Sequence, residues 1–215
     1  MKRNKKGFTI IEIILVLGIA GLILLTVFLV VPSLWASQRD ADRRTKMTDY
    51  IAALKEYQTN NSRGALPTGV DSGSNSPVFF SMSEVNVMDV NVKNTWQAFV
   101  RDYFNSKDFM DPDGKEFLFY VVGCAKEDAN GHSATASTGE QCTYSSAHKA
   151  NGSESYDGLK TVNGEDTSVN GGVNHVIYTV TGATCDGDTA VKSSNSRNVA
   201  VVYRLERAGR YCANT

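Results

Sequence analysis

The sequence predicts an α+β protein: one long N-terminal α-helix, membrane-spanning in its first half and amphipathic in its second, packed on a head with a small antiparallel β-sheet. Three observations predict it. Nearly every residue from Phe8 to Val31 is apolar. Beyond Pro32, Met47, Tyr50, Ile51, Leu54 and Tyr57 recur at helical spacing. The rest is rich in Gly, Ser, Thr, Asn and Asp, with short apolar runs between turn formers. At 215 residues the chain has room for one globular domain and a membrane segment. The expected organisation is a basic start (1–7), an apolar helix (8–32), its amphipathic continuation (33–60) and a head (61–215).

At 1.5 Å per residue the run from Phe8 to Val31 is about 36 Å long, enough to cross a hydrocarbon core of about 30 Å with some tilt. Lys2, Arg3, Lys5 and Lys6 precede it, and the positive-inside rule keeps them cytoplasmic and sends the head outward. An ordinary secretory cleavage site should follow the apolar region. Here Ala20-Gly21 lies inside the run, and Ala36-Ser37 comes only after Pro32 and Trp35.

Glu12 stands out. An acidic residue in an apolar membrane segment costs on the order of 3 kcal/mol at mid-depth and less near the interface, and by default it marks function. Snorkelling to the headgroups is the plain alternative for a residue so near the start. Gly18 and Gly21 break an Ile/Leu/Val-rich helix, where they allow close helix approach or local unwinding. The charged approach to the amphipathic half, including Arg43-Arg44, reads as a solvated face.

The segment Gly7-Phe8-Thr9-Ile10-Ile11-Glu12, with its basic leader and apolar run, closely resembles the prepilin processing motif of type IV pilins and type II secretion pseudopilins. The resemblance covers roughly the first 60 residues. It implies that residues 1–7 are a leader, that a dedicated membrane peptidase cuts Gly7–Phe8, and that Phe8 is then N-methylated. Gly7 suits the cleavage because it lets an extended backbone enter a protease site closely. Cleavage would expose an ammonium on Phe8, and Glu12 of an adjacent subunit could meet it. Two unit charges about 4 Å apart attract by roughly 4 kcal/mol at an effective dielectric of 20, much of it offset by desolvation. Register, more than net stability, is the expected gain.

Cys124, Cys142, Cys185 and Cys212 are all in the polar part, and none forms a Cys-x-x-Cys pair. An even number behind a membrane-targeting start favours two disulfides in an oxidising compartment. Three pairings are possible. Cys124–Cys142 with Cys185–Cys212 is preferred because each closes a local, turn-rich loop. Val85, Val87, Val90 and Val92 suggest a short extended piece, and Trp96, Phe99, Val100, Tyr103 and Phe104 a helix capped by Asn94 or Thr95. Asp111-Pro112-Asp113-Gly114 signals a turn and loosely resembles an Asp-Pro-x-Gly segment of pseudopilins. Strands are expected near Phe117–Val122, Val173–Val180 and Asn198–Leu205, with turns at Gly187 and Gly209. The stretch between Cys124 and Val173 is long for a plain loop and has room for a hairpin.

Catalytic readings find little support. His132, His148 and His175 lack metal-ligand spacing, and no nucleophile elbow or phosphate-binding glycine loop occurs. Asp186 and Asp188, or Asp111 and Asp113, are weak calcium candidates beside their role as turn formers. Net charge is −1, so no strong nucleic-acid signal exists. A C-terminal cluster of Arg204, Arg207 and Arg210 reads as a solvated edge with Glu206 as partner. The expectation is a non-enzymatic, cofactor-free subunit, stored in the cytoplasmic membrane with its head outside and then polymerised into a surface filament. Its implied partners are further copies, other pilins, the prepilin peptidase and a pilus assembly platform. Adhesion, twitching motility and DNA uptake are implications of the resemblance. A type II secretion pseudopilin and a minor tip pilin are alternatives within the family; a single-pass anchored ligand-binding protein is the alternative outside it.

Overall fold

A computed structural model describes residues 7–61, 64–68, 78–104, 109–127, 133–142, 175–207 and 209–215. The basic start before Gly7, His132 and the whole stretch between Cys142 and His175, His148 included, lie outside the described residues.

Helix α1 (Ile10–Asn60) is continuous and carries Pro32 within it. Its buried residues are Ala36, Asp40, Arg43, Met47, Tyr50, Ile51, Leu54 and Tyr57. That alternating four- and three-residue step keeps one stripe against the head. Asn61 ends the helix in an extended conformation, its N–H donating to the Tyr57 carbonyl.

The head follows as β1 (Val78–Ser81), α2 (Met82–Asn86), α3 (Trp96–Tyr103), β2 (Leu118–Gly123), β3 (Ala125–Glu127), β4 (Ser133–Thr135), β5 (Val176–Thr181), β6 (Ala183–Asp186), β7 (Thr189–Lys192), β8 (Val199–Arg204) and β9 (Arg210–Asn214). The main sheet has the order β1-β2-β5-β8-β9. It is the small sheet expected, but mixed where an antiparallel one was expected: β2 and β5 run parallel, with Leu118 opposite Val176. Parallel neighbours need a long crossover, and the chain between Gly123 and Val176 supplies it. The other pairings within the sheet are antiparallel.

The valine-rich stretch expected to be extended is instead α2 and turns. Ser81 caps α2 by accepting from the Glu84 N–H, and Glu84 returns the bond to the Ser81 N–H. Val85 is buried, whereas Val87 and Val90 point into solvent, so the valines do not share a strand face. Helix α3 is capped by the Thr95 hydroxyl, which accepts from the Ala98 N–H. Gly114, Gly187 and Gly209 take positive φ at their turns.

Both faces of the sheet are covered. One packs on α1 and α3 through Phe119, Val121, Ile177, Val199, Val201 and Tyr203. At the centre of this layer Tyr50 meets Phe99, Phe104, Phe109 and Phe119 at centroid distances of 5.7 to 6.4 Å. Burial pushes its hydroxyl pKa up, and the hydroxyl lies 3.2 Å from Thr179 Oγ1. The second layer is built of small residues (Ala136, Ala183, Ala190, Ala200) with Val180, Val202 and the cysteines. Cys124 is bonded to Cys142 and Cys185 to Cys212, and the second bridge ties the β6–β7 hairpin to β9.

Alanines bury little area, so the second layer depends on its covalent links more than the first. Closing loops of 18 and 27 residues stabilises by about 3 to 4 kcal/mol each on the chain-entropy account. Replacing Cys185 and Cys212 by Ser should lower folding stability by about 3 kcal/mol in urea titration and leave the α1–sheet layer native by near-ultraviolet circular dichroism.

Candidate functional site

Two regions carry the features that need explaining. The first is the N-terminal half of α1, where every residue from Gly7 to Val30 is exposed. Phe8 is 82% exposed, and nothing among the described residues covers Ile10 to Val30. Fully burying side chains of this kind is worth about 1.5–3 kcal/mol each, so the uncovered stretch represents on the order of tens of kcal/mol. A bilayer or other apolar helices must cover it. A Cβ built on Gly18 or Gly21 would meet nothing within 4 Å, so no contact among the described residues requires glycine there.

Thr9 opens the helix in an extended conformation, and the Glu12 carboxylate turns back towards it. One oxygen of Glu12 lies 3.4 Å from both the N–H and the hydroxyl of Thr9. Thr9-Ile10-Ile11-Glu12 is thus a helix-start pattern as well, a role that reading Glu12 purely as a buried charge overlooks. These contacts are long and exposed, so the carboxylate can exchange them for a stronger cationic partner.

The second region locks α1 to the head. Arg43 is 2% exposed, which overturns its assignment to a solvated face. Its Nε and Nη2 donate to the two oxygens of Asp111 at 2.9 and 2.8 Å, a bidentate fork. Its Nη1 lies 3.1 Å from Asp40 and 3.3 Å from Glu206. The Tyr203 hydroxyl donates to Asp111 at 2.5 Å, and the Asp113 amide donates at 3.1 Å. Asp40 accepts the consecutive amides of Glu206 and Arg207 at 2.8 and 2.9 Å, holding the β8–β9 turn against the helix.

Burial alone would raise the Asp111 pKa. The Arg43 fork, the Tyr203 hydroxyl and the Asp113 amide outweigh it and hold Asp111 at about 2. Tyr203 is pushed up, first by burial and then by donating to a carboxylate. Glu206 pairs with Arg39 at 2.6 Å, and this bond holds its carboxyl below the ordinary range. Glu206 is therefore claimed by α1, where the C-terminal arginines were expected to claim it. Arg44 is exposed and lies over the Tyr211 ring at 5.5 Å.

The structure also brings His175 to Asp111 and Asp113, with Nε2 3.3 Å from Asp113 and Nδ1 3.7 Å from Asp111. Ligand atoms of the three lie within 4.8 Å of one another. A metal ion does not fit well here, because the four acceptor positions of Asp111 are taken by two guanidinium bonds, a hydroxyl and an amide. Asp186 and Asp188 flank the β6–β7 turn; among the described residues they join no cluster of three such ligands.

A long helix with a bare apolar start, a Gly-Phe-x-x-x-Glu sequence at that start and a locked α+β head define a pilin-like architecture. Residues 2–28 match the family described as "Prokaryotic N-terminal methylation motif". The chain is 35% identical over 82 residues to the type II secretion system core protein G of Aeromonas hydrophila, covering 35% of this chain and 54% of that protein. It is 36% identical over 66 residues to core protein G of Dickeya chrysanthemi, covering 29% and 41% of the two chains. The chain thus spans about half the length of these curated relatives. No solved structure matches. The chain is thus similar, over its N-terminal part, to proteins carrying the methylation motif and to type II secretion core protein G.

Removing a buried charge's partner is costlier than removing an exposed one's. Arg43→Ala should destabilise the fold by about 3–5 kcal/mol in urea titration, while Arg39→Ala should leave the midpoint nearly unchanged. Asp111 has a depressed folded-state pKa, so its contribution is present above its ordinary value of 3.8 and is lost as pH falls towards 2. Stability of the wild type should therefore drop by on the order of 2 kcal/mol more between pH 5 and pH 2 than that of Asp111→Asn, measured by thermal melts.

Proposed function

We propose that this chain is a structural, non-enzymatic subunit of a type IV pilus-like filament. It is held in the cytoplasmic membrane by the first half of α1, cleaved between Gly7 and Phe8, N-methylated at Phe8 and polymerised through the same helix. The observation that carries this is the bare apolar half of α1 with a single carboxylate near its start. Such a surface is satisfied first by lipid and then by neighbouring copies of itself. The Phe8 ammonium released by cleavage gives Glu12 of an adjacent copy a partner stronger than its long contacts to Thr9. Gly18 and Gly21, which no contact among the described residues requires, suit close approach of neighbouring helices. Residues 8–32, 33–60 and 61–215 then act as polymerisation segment, connector and displayed head. The implied partners are other pilins, the prepilin peptidase and the membrane assembly platform.

A second reading, a subunit of a short type II secretion pseudopilus, is favoured by the likeness to core protein G. Both readings share the processing step and the helix assembly.

Mass spectrometry of the mature protein should find an N-methylated Phe8 terminus; a functional protein retaining Met1–Gly7 contradicts the proposal. Glu12→Ala should leave membrane levels of the subunit unchanged and reduce recovered filaments by roughly tenfold or more, since an unmatched register costs at least about 1.4 kcal/mol per subunit.

A further inference from the structure

The β8–β9 turn does more than brace the helix. Arg207 Nη1 donates to the Ser33 carbonyl at 2.7 Å. Ser33 is two residues beyond Val31, the last residue of the apolar run, so this guanidinium sits about 3 Å beyond its end. The headgroup layer outside the hydrocarbon core is about 5–8 Å thick on each side. Trp35, 59% exposed on α1 two residues beyond Ser33, is an aromatic of the kind that settles at this depth. The turn's amides are fixed to Asp40, so the position of Arg207 is set by backbone bonds as well as by its own side chain.

Asp40, Asp111 and Glu206 are engaged by Arg43 and Arg39. Arg44, which lies over the Tyr211 ring of β9, and the exposed Arg207 lie beside these pairs. Arg204 and Arg210 stand directly opposite each other across β8 and β9. Among the described residues no carboxylate pairs with Arg207, and only one of its five guanidinium N–H donors is used, by Ser33.

We propose that this arginine-bearing turn is a docking surface for phosphate groups of an anionic bilayer, which orients the head against the outer face of the membrane before the subunit is extracted. The inference rests on the membrane-anchored reading above. Arginine suits the role because its planar fork binds phosphate oxygens in pairs. A basic residue near an anionic surface changes binding by about fivefold, and salt screens the effect. Release into a filament would break these contacts, so the surface acts on the stored subunit and not on the polymer.

The test uses the full chain reconstituted in phosphatidylcholine vesicles, with and without phosphatidylglycerol. Flotation reports insertion, and hydrogen exchange reports the amides of Leu205 to Gly209. The expected result is equal flotation in both lipids, with exchange in the turn about fivefold to tenfold slower in phosphatidylglycerol. That difference should vanish at about 0.5 M salt and in Arg207→Gln. The comparison of lipids and salt needs no variant, so a folding defect in Arg207→Gln leaves it decisive. Flotation in both lipids with the same exchange would overturn the proposal alone. Failure to float in either would overturn the membrane reading and the proposal with it.

Discussion

An apolar helix that the described residues of its own chain leave bare is the constraint from which the rest of this protein follows. Water cannot solvate the stretch from Phe8 to Val30 at tolerable cost, and none of the described residues of the head covers it. Lipid satisfies it without specificity. A bundle of identical helices satisfies it as well, and can also satisfy Glu12, which lipid cannot. On the proposed reading, the apolar area is exchanged nearly evenly between these two environments, and the carboxylate would supply the register.

Such a helix works as a handle only if pulling on it moves the head. The lower part of α1 is therefore fixed to the sheet twice. Apolar packing by Met47, Tyr50, Leu54 and Tyr57 supplies the bulk of the adhesion. The buried cluster of Arg43, Asp40, Asp111 and Tyr203, with the exposed Glu206 at its edge, supplies direction, because the bidentate Arg43–Asp111 fork and the Asp40 bonds to the β8–β9 turn constrain how the helix meets the sheet. Buried ionic groups rarely add net stability over apolar ones of the same shape. Their value here is geometric: they fix the angle and rotation between membrane helix and head.

The helix and the strands around Phe117–Val122 and Asn198–Leu205 were legible because long runs and clear periodicity dominate there. β6, β7 and β9 were not, since Ala-Thr-Cys-Asp, Thr-Ala-Val-Lys and Arg-Tyr-Cys-Ala-Asn alternate too weakly to separate from loop. The parallel step from β2 to β5 is a topological choice that local pattern does not encode. Arg43 was hidden among charged neighbours, although the spacing Ala36, Asp40, Arg43, Met47, Tyr50 places it on the buried stripe. Following that stripe back from Met47 was the signal that finds it. Glu12 stands out because its charge conflicts with its apolar surroundings, and Phe8 through the resemblance to a processing motif, whereas the Asp111–Arg43 pair joins residues far apart in sequence and appears only in the folded head.

The account depends on Glu12 exchanging a weak contact within its own chain for a strong one between chains. A filament structure by electron cryomicroscopy measures this directly, as the distance from each Glu12 carboxylate to the nearest Phe8 nitrogen. The account predicts separations of about 3–4 Å to the nitrogen of a neighbouring subunit, repeated at every subunit. Glu12 turned back onto Thr9 of its own chain throughout the polymer, with no Phe8 nitrogen near it, would contradict it.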